Sequence, residues 1–154
     1  MTSAKQRSPR EVAIGLLARR EHAQAELRTK LRGRGFTDAE IAQALAELRA
    51  EGLQSDDRYA ESYVRSRAER SYGPVRIGAE LRQREIDADC IERALAEYEG
   101  GWDENARRYY RRHFGSAPPA NYQERAKRLR HMQQRGFGME TLRALTDVDD
   151  VADD

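Results

Sequence analysis

The stretch IAQALAEL, Ile41 to Leu48, recurs fifty positions on as IERALAEY, Ile91 to Tyr98, with five of eight residues identical. Extended backwards without a gap, the same shift pairs Leu27 with Ile77, Leu31 with Leu81 and Phe36 with Ile86. With Ile41/Ile91, Leu45/Leu95 and Leu48/Tyr98, six apolar positions then coincide. Alanine-rich composition has no reason to hold apolar positions in register over such a span, so the chain reads as an internal repeat. A third copy is fainter. A shift of 101 pairs Leu31 with Met132, RGF at Arg34 with RGF at Arg135, and Ile41 with Leu142, while Leu27 and Leu45 fall onto Arg128 and Thr146.

Capping signals divide each unit into three helices. In SPRE, Ser8 is placed to cap, Pro9 to take the first helical position and Glu11 to reciprocate, after which Val12, Ala13, Leu16 and Leu17 share one face. A second helix carries Leu27 and Leu31 and stops near Gly33 to Gly35; TDAE, with Thr37 and Glu40, opens a third that ends at Gly52. The joint that follows is EGLQSDDRYAESYVRSR, Glu51 to Arg67. Here Leu53 is expected to pack the junction and Ser55 or Asp56 to cap the next helix, with Asp56 and Asp57 at its positive end. Tyr59, Ala60, Tyr63 and Val64 repeat the face of Val12, Ala13, Leu16 and Leu17, 47 positions on. Pro74 starts the unit's second helix, Asp87 caps its third, and GG ends it. In the third unit ENARRYYRRHF leads to a loop with SAPPA, a helix capped by Asn121 with Glu124 three on, and a short helix after Gly138.

The expected fold is therefore all-α, three tandem three-helix repeats at 8–54, 55–101 and 102–147 with an acidic tail at 148–154. Each unit is too small to bury enough apolar surface alone, so stacking into an elongated, curved array follows. Composition agrees: 38% hydrophobic residues, 36% charged and sparse glycine and proline suit a helical protein, and the regular apolar spacing from Val12 to Leu145 argues against disorder. Cys90 stands alone, which leaves no intrachain disulfide and no cysteine metal site. The longest apolar run, VAIGLLA, is too short to span a membrane and RRE follows it, so a cytoplasmic protein is expected.

The net charge of +1 conceals a periodic distribution. Residues 1–35 hold nine basic groups against three acidic, and 36–62 hold two against seven. The alternation continues with six against two in 63–84, one against eight in 85–104, nine against one in 105–137 and one against six in 138–154. Each repeat is thus basic through its first two helices and acidic through its third. Solvated faces explain one such block; three in phase with the repeat point to a basic ribbon. All basic residues but Lys5, Lys30 and Lys127 are arginine, whose planar fork suits phosphates and carboxylates. In RRYYRRHF, Arg107, Arg108, Arg111 and Arg112 recur at i, i+4 spacing; Tyr109 and Tyr110 between them either stack on bases or supply the helix with its apolar face.

Signals for catalysis are missing. His22, His113 and His131 have no metal-ligand spacing, there is no glycine-rich phosphate loop, and no serine or cysteine has a base nearby. SDDRYAE lacks the alternating oxygens and glycine of a calcium loop, and its carboxylates read as caps.

The run GLQSDDRYAESYVRSR (52–67), followed by YGPVRIGAELRQREID (72–87), resembles the signature of the RecX regulators of the bacterial recombinase RecA. The upstream AELRTKLRGRGF (25–36) and downstream QRGF (134–137) also match, and the resemblance covers about residues 8–146. It implies a non-enzymatic protein without cofactor or metal, a monomer, that lodges in the groove of the RecA filament on single-stranded DNA and inhibits filament growth, ATP hydrolysis and strand exchange. That would place it in DNA recombination, DNA repair and the SOS response. Carried onto the basic blocks, it makes Arg28, Arg32 and Arg34 of the first unit candidates for contact with RecA or DNA. In the second unit the candidates are Arg65, Arg67, Arg70, Arg76, Arg82 and Arg84, and in the third Arg107, Arg108, Arg111, Arg112, Arg128 and Arg130. Two positions depart from the family pattern. Ala23 stands where the family commonly has a capping Ser, and Glu85 where it has the glycine before Ile86. The DVDDVADD tail lies outside the motif. The alternative reading is a helix-turn-helix DNA-binding protein independent of RecA, against which the acidic third helices argue; a third is a helical adaptor with incidental charge.

Overall fold

The structure, a computed structural model, describes residues 7–150, with side chains as far as Leu145. These residues form nine helices and no strand. The first repeat comprises α1 (Pro9–Leu17), α2 (Gln24–Gly33) and α3 (Asp38–Ala50); the second α4 (Asp56–Glu69), α5 (Pro74–Gln83) and α6 (Ala88–Ala96); the third α7 (Trp102–Phe114), α8 (Tyr122–Gln134) and α9 (Met139–Asp150). The helix pairs in extensive contact all lie within one repeat. Of the acidic tail, residues 148–150 continue α9, and the last four lie outside the described residues.

Local chemistry sets the helix starts. Ser8 Oγ accepts the Glu11 amide at 3.1 Å, Thr37 Oγ1 that of Glu40 at 3.2 Å, Ser55 Oγ that of Arg58 at 3.2 Å and Asn121 Oδ1 that of Glu124 at 2.8 Å, each satisfying an N-terminal donor that the helix leaves free. The ends are equally consistent. After α2, α5 and α8 the chain turns through a left-handed residue at equivalent places, Gly35 at φ 89°, Glu85 at φ 59° and Gly136 at φ 100°. The departure at Glu85 therefore leaves the turn in place, with a side chain held where glycine is favoured. The third helix of repeat two stops at Ala96, before the expected glycines; there the Leu95 carbonyl accepts the Trp102 indole N–H at 3.2 Å and the Trp102 ring packs tilted against Tyr98, centroids 4.4 Å apart.

Three cores form, one per repeat. Leu27, Leu31, Ile41, Leu45 and Leu48 close the first around Val12 and Ala13. Tyr59, Val64, Ile77, Leu81, Ile86 and Ile91 fill the second, and Ala106, Tyr109, Met132, Phe137 and Leu142 the third. Burying such side chains stabilises each unit by about 1.5–3 kcal/mol per residue before chain entropy is counted. One residue crosses over. Ala23, at the start of α2, is fully buried and belongs to the core of the second repeat. Its methyl fits that apolar site, and the cap its side chain cannot supply comes from elsewhere: Glu26 accepts the Ala23 amide at 3.3 Å, and Asp56 of α4 accepts the Gln24 amide at 2.9 Å.

The first joint corrects the expectation for Leu53, which is 46% exposed. Its neighbour Gln54 is buried instead, donating through Nε2 to the His22 carbonyl at 3.3 Å and to Asp56 at 2.9 Å. A glutamine serves here because the groups it meets are a carbonyl and a carboxylate, which leucine would leave without a donor. Arg58 adds an ion pair to Glu21 at 3.0 Å. Beside it His22, also buried, has its Nδ1 3.0 Å from the Arg20 carbonyl and its Nε2 3.1 Å from Lys30 Nζ. Burial lowers its pKa and outweighs the hydrogen bond to the Arg20 carbonyl, which raises it; the charges of Arg20 and Lys30 add to the lowering.

Candidate functional site

The second joint is built from arginine and aromatic rings. At its centre the Gly73 amide donates to the Arg135 carbonyl at 2.8 Å and the Val75 amide to the Gly136 carbonyl at 3.0 Å, so the start of α5 is satisfied by the turn between α8 and α9. Gly73 and Gly136 allow this approach, since a Cβ on Gly73 would collide with the Gly136 backbone. Above the contact, Tyr72 lies between the guanidinium groups of Arg67 and Arg135, each 3.9 Å from its ring centroid, with Arg76 at 4.5 Å. Arg135 donates to the carbonyls of Arg70 and Ser71, and Arg112 of α7 reaches Ser71 Oγ at 3.2 Å. The basic blocks of repeats two and three therefore meet at this joint.

From there α7 carries an exposed arginine row. Arg107, Arg108, Arg111 and Arg112 line a shallow groove with Glu104 as its acidic member. Glu104 lies 3.4 Å from Arg107 and 3.8 Å from Arg108. Such exposed pairs are weak and leave the row available to an anion. Tyr109 and Tyr110 belong to the core of the repeat, so the row has no aromatic platform between its arginines. Tyr109 instead donates to, or accepts from, His131 Nε2 at 2.6 Å, and His113 stacks on His131 with centroids 4.4 Å apart. Burial, then His113 and Arg135, lower the pKa of His131.

The other candidate arginines fall into three groups. Arg34, Arg65, Arg82 and Arg130 are exposed with no side-chain hydrogen bond or ion pair among the described residues, and Arg28 is half-buried in the same condition. Arg32 pairs with Asp38 at 2.9 Å, Arg76 with Glu80 at 3.5 Å, and Arg84 caps the Glu80 carbonyl at 3.3 Å while lying over the Tyr63 ring; Arg70 is exposed and lends only its carbonyl. Two are structural. Arg128 is 7% exposed and donates to the Ala117 carbonyl at 2.9 Å, Tyr110 Oη at 3.2 Å and Glu124 at 2.7 Å, which takes it out of the basic surface: the charge of its segment says nothing of the face it occupies. Arg67 is mostly buried, held by Glu80 at 2.9 Å. Burial opposes ionisation of Glu80, but hydrogen bonds from Tyr63 and Arg67 outweigh it and hold the carboxyl below its usual range. Burial and that same bond push Tyr63 up to about 12.

Sequence reasoning passed over Arg135, Tyr72 and Gln54. Arg135 was visible only as part of the repeated RGF, and nothing local marks the Tyr72 ring and the two carbonyls it reaches across 63 to 65 positions. Asp57 pairs with Arg93 at 3.0 Å. Burial and the neighbouring Asp57 together push the Cys90 thiol up to about 12. No group of three or more histidine, cysteine or carboxylate side chains suited to a metal occurs among the described residues. None of the described helices is long and apolar enough to cross a membrane.

Three three-helix domains joined by polar contacts, with an arginine-rich face, define an all-helical repeat protein. Residues 10–48, 55–95 and 103–145 match, in order, the first, second and third three-helix domains of RecX, and the chain belongs to the RecX family. It is 41% identical over 145 residues to the regulatory protein RecX of Stenotrophomonas maltophilia, covering 94% of this chain and 89% of that one. To the regulatory protein RecX of Xanthomonas campestris pv. campestris it is 43% identical over 146 residues, covering 94% and 90%. Its fold is that of the crystal structure of RecX from Lactobacillus salivarius, with a TM-score of 0.79 at 22% identity over 93% of this chain and 95% of that one.

Proposed function

We propose that this protein is a negative regulator of the RecA recombinase, binding the RecA filament on single-stranded DNA in its groove and hindering filament growth, ATP hydrolysis and strand exchange. The observation that carries this reading is the continuity of basic surface in a RecX-family chain: the exposed α7 row runs through Arg112 into the joint where Arg70, Arg76 and Arg135 gather. Guanidinium groups held at one spacing along a rigid helix suit a polyanion or an acidic protein groove. The units acting this way are residues 8–54, 55–101 and 102–147, a monomer works without cofactor or chemistry of its own, and the cytoplasm is its place because the filament is there.

The test is co-sedimentation with RecA filaments on single-stranded DNA, alongside DNA-dependent ATP hydrolysis and strand exchange. Binding that needs RecA, with suppression of both activities at or below stoichiometric protein, is expected. Normal RecA activity under saturating protein would end the proposal, and salt-sensitive binding to DNA alone would make this a DNA-binding protein instead.

A further inference from the structure

A groove of about 700 Å³ runs between α2 and α3 of the first repeat. Its floor is the outer face of α3, where Ala42, Ala46 and Ala50 recur at helical spacing and are exposed. Arg28, Arg32 and Arg49 stand along its walls. Arg32 is engaged by Asp38, whereas the Arg28 and Arg49 side chains have no hydrogen bond or ion pair among the described residues. The second repeat lacks this chemistry. At the equivalent places the second has Gly78, where even a Cβ would touch the side chains of Leu95 and Ile91, and Glu92 and Glu99 in place of Ala42 and Arg49.

From this we infer that the α2/α3 groove is a docking site for an acidic amphipathic helix of a protein partner. Alanines along one face let a second helix approach to the close end of the usual range, about 8 Å between axes. The span from Ala42 to Ala50 is roughly 12 Å of helix, matching two to three turns of a ligand. Small apolar residues of the incoming helix lie on the alanine floor, and carboxylates on its flanks meet the forks of Arg28 and Arg49 bidentately. Nucleic acid does not suit this surface, because an alanine floor gains nothing from phosphates and Asp38 sits on its rim. The α7 groove makes the contrast, with only Glu104 and four arginines and no apolar floor. The inference goes beyond the regulatory reading and does not rest on it.

The probe is a fluorescein-labelled 15-residue helical peptide with alanine and leucine along one face and glutamate on both flanks, followed by fluorescence anisotropy with the whole chain. Saturable binding is expected, weakened at least tenfold by Ala46→Arg and by Arg28→Ala with Arg49→Ala. Ala46→Arg decides the matter because it fills the floor while adding positive charge; circular dichroism confirms that it folds. A peptide of the same composition in permuted order should bind at least tenfold more weakly, and a 20-nucleotide oligothymidine should not displace the probe. No saturable binding, equal or tighter binding by Ala46→Arg, equal binding of the permuted peptide, or displacement by the oligonucleotide would each overturn the assignment. Charge reversal at Arg108 and Arg111 should leave peptide binding unchanged, so failure of the filament proposal is read separately; a loss of binding there would place the peptide on α7 and refute the groove.

Discussion

Asp56 lies in the first turn of α4, yet its carboxylate accepts the amide of Gln24, 2.9 Å away in α2 of the preceding repeat. One side chain thus caps a helix 32 positions upstream and fastens two repeats together. Asp56→Ala should cost about 1 kcal/mol, the ordinary worth of a helix cap, while Asp56→Asn, which keeps an acceptor, should recover most of it. Urea titration monitored by circular dichroism gives both values.

Glu85 occupies the left-handed position that Gly35 and Gly136 hold in the other repeats. Glu85→Gly should stabilise the protein by about 0.5–1 kcal/mol, relief of backbone strain exceeding the added freedom of the unfolded chain. The reverse change, Gly136→Ala, should be strongly unfavourable, because its Cβ would also strike the backbone of Arg76. Melting temperatures of the two variants, moving in opposite directions, check this.

Gly73→Ala tests the second joint. The new methyl would enter the Gly136 peptide and force the third repeat off the start of α5. A loss of about 1–3 kcal/mol is expected from such overpacking. Faster hydrogen exchange at the amides of Gly73 and Val75, with exchange in the first repeat unchanged, is the specific sign.

The Tyr63–Glu80–Arg67 cluster makes stability depend on acid. Because the Glu80 carboxyl titrates lower in the folded protein than its ordinary 4.5, the unfolded chain binds the extra proton. The contribution is whole above that value and is lost as pH falls through the folded pKa. Glu80→Gln should therefore be less stable than the parent at pH 7 and should lose less on going from pH 5 to pH 3. Parallel slopes in that window would place the acid response elsewhere.

Arg108 and Arg111 are exposed on the α7 row, the first only loosely paired and the second with no ion pair among the described residues. Replacing both by Glu should weaken the proposed inhibition of RecA at least tenfold, with helical content unchanged. Equal inhibition would remove this row from the site. Arg128→Ala, by contrast, should destabilise the third repeat, since it strips the Ala117 carbonyl and Glu124 Oε1 of their donor.

The helices were legible because their signals are local. Ser8, Thr37, Ser55 and Asn121 cap within three residues of themselves, and Ile41 to Leu48 announces its copy by spacing alone. The joints were not. Leu53 and Gln54 follow the same helix end, and only the approach of the His22 carbonyl, 32 positions upstream, decides that the polar residue goes inside. Counting charge by segment found the α7 row but also counted Arg128, whose face is fixed by tertiary packing against Tyr110 and Phe114.

The separation of the three cores has a mechanical consequence. An array with one continuous core resists bending along its whole length, whereas here each unit is stiff and compliance is concentrated at two seams. The first is held by Gln54, Asp56, Arg58 and the methyl of Ala23, and the second by two backbone bonds and the arginines around Tyr72. A surface wound about an axis can then be followed by small rotations at two places, without unfolding any helix.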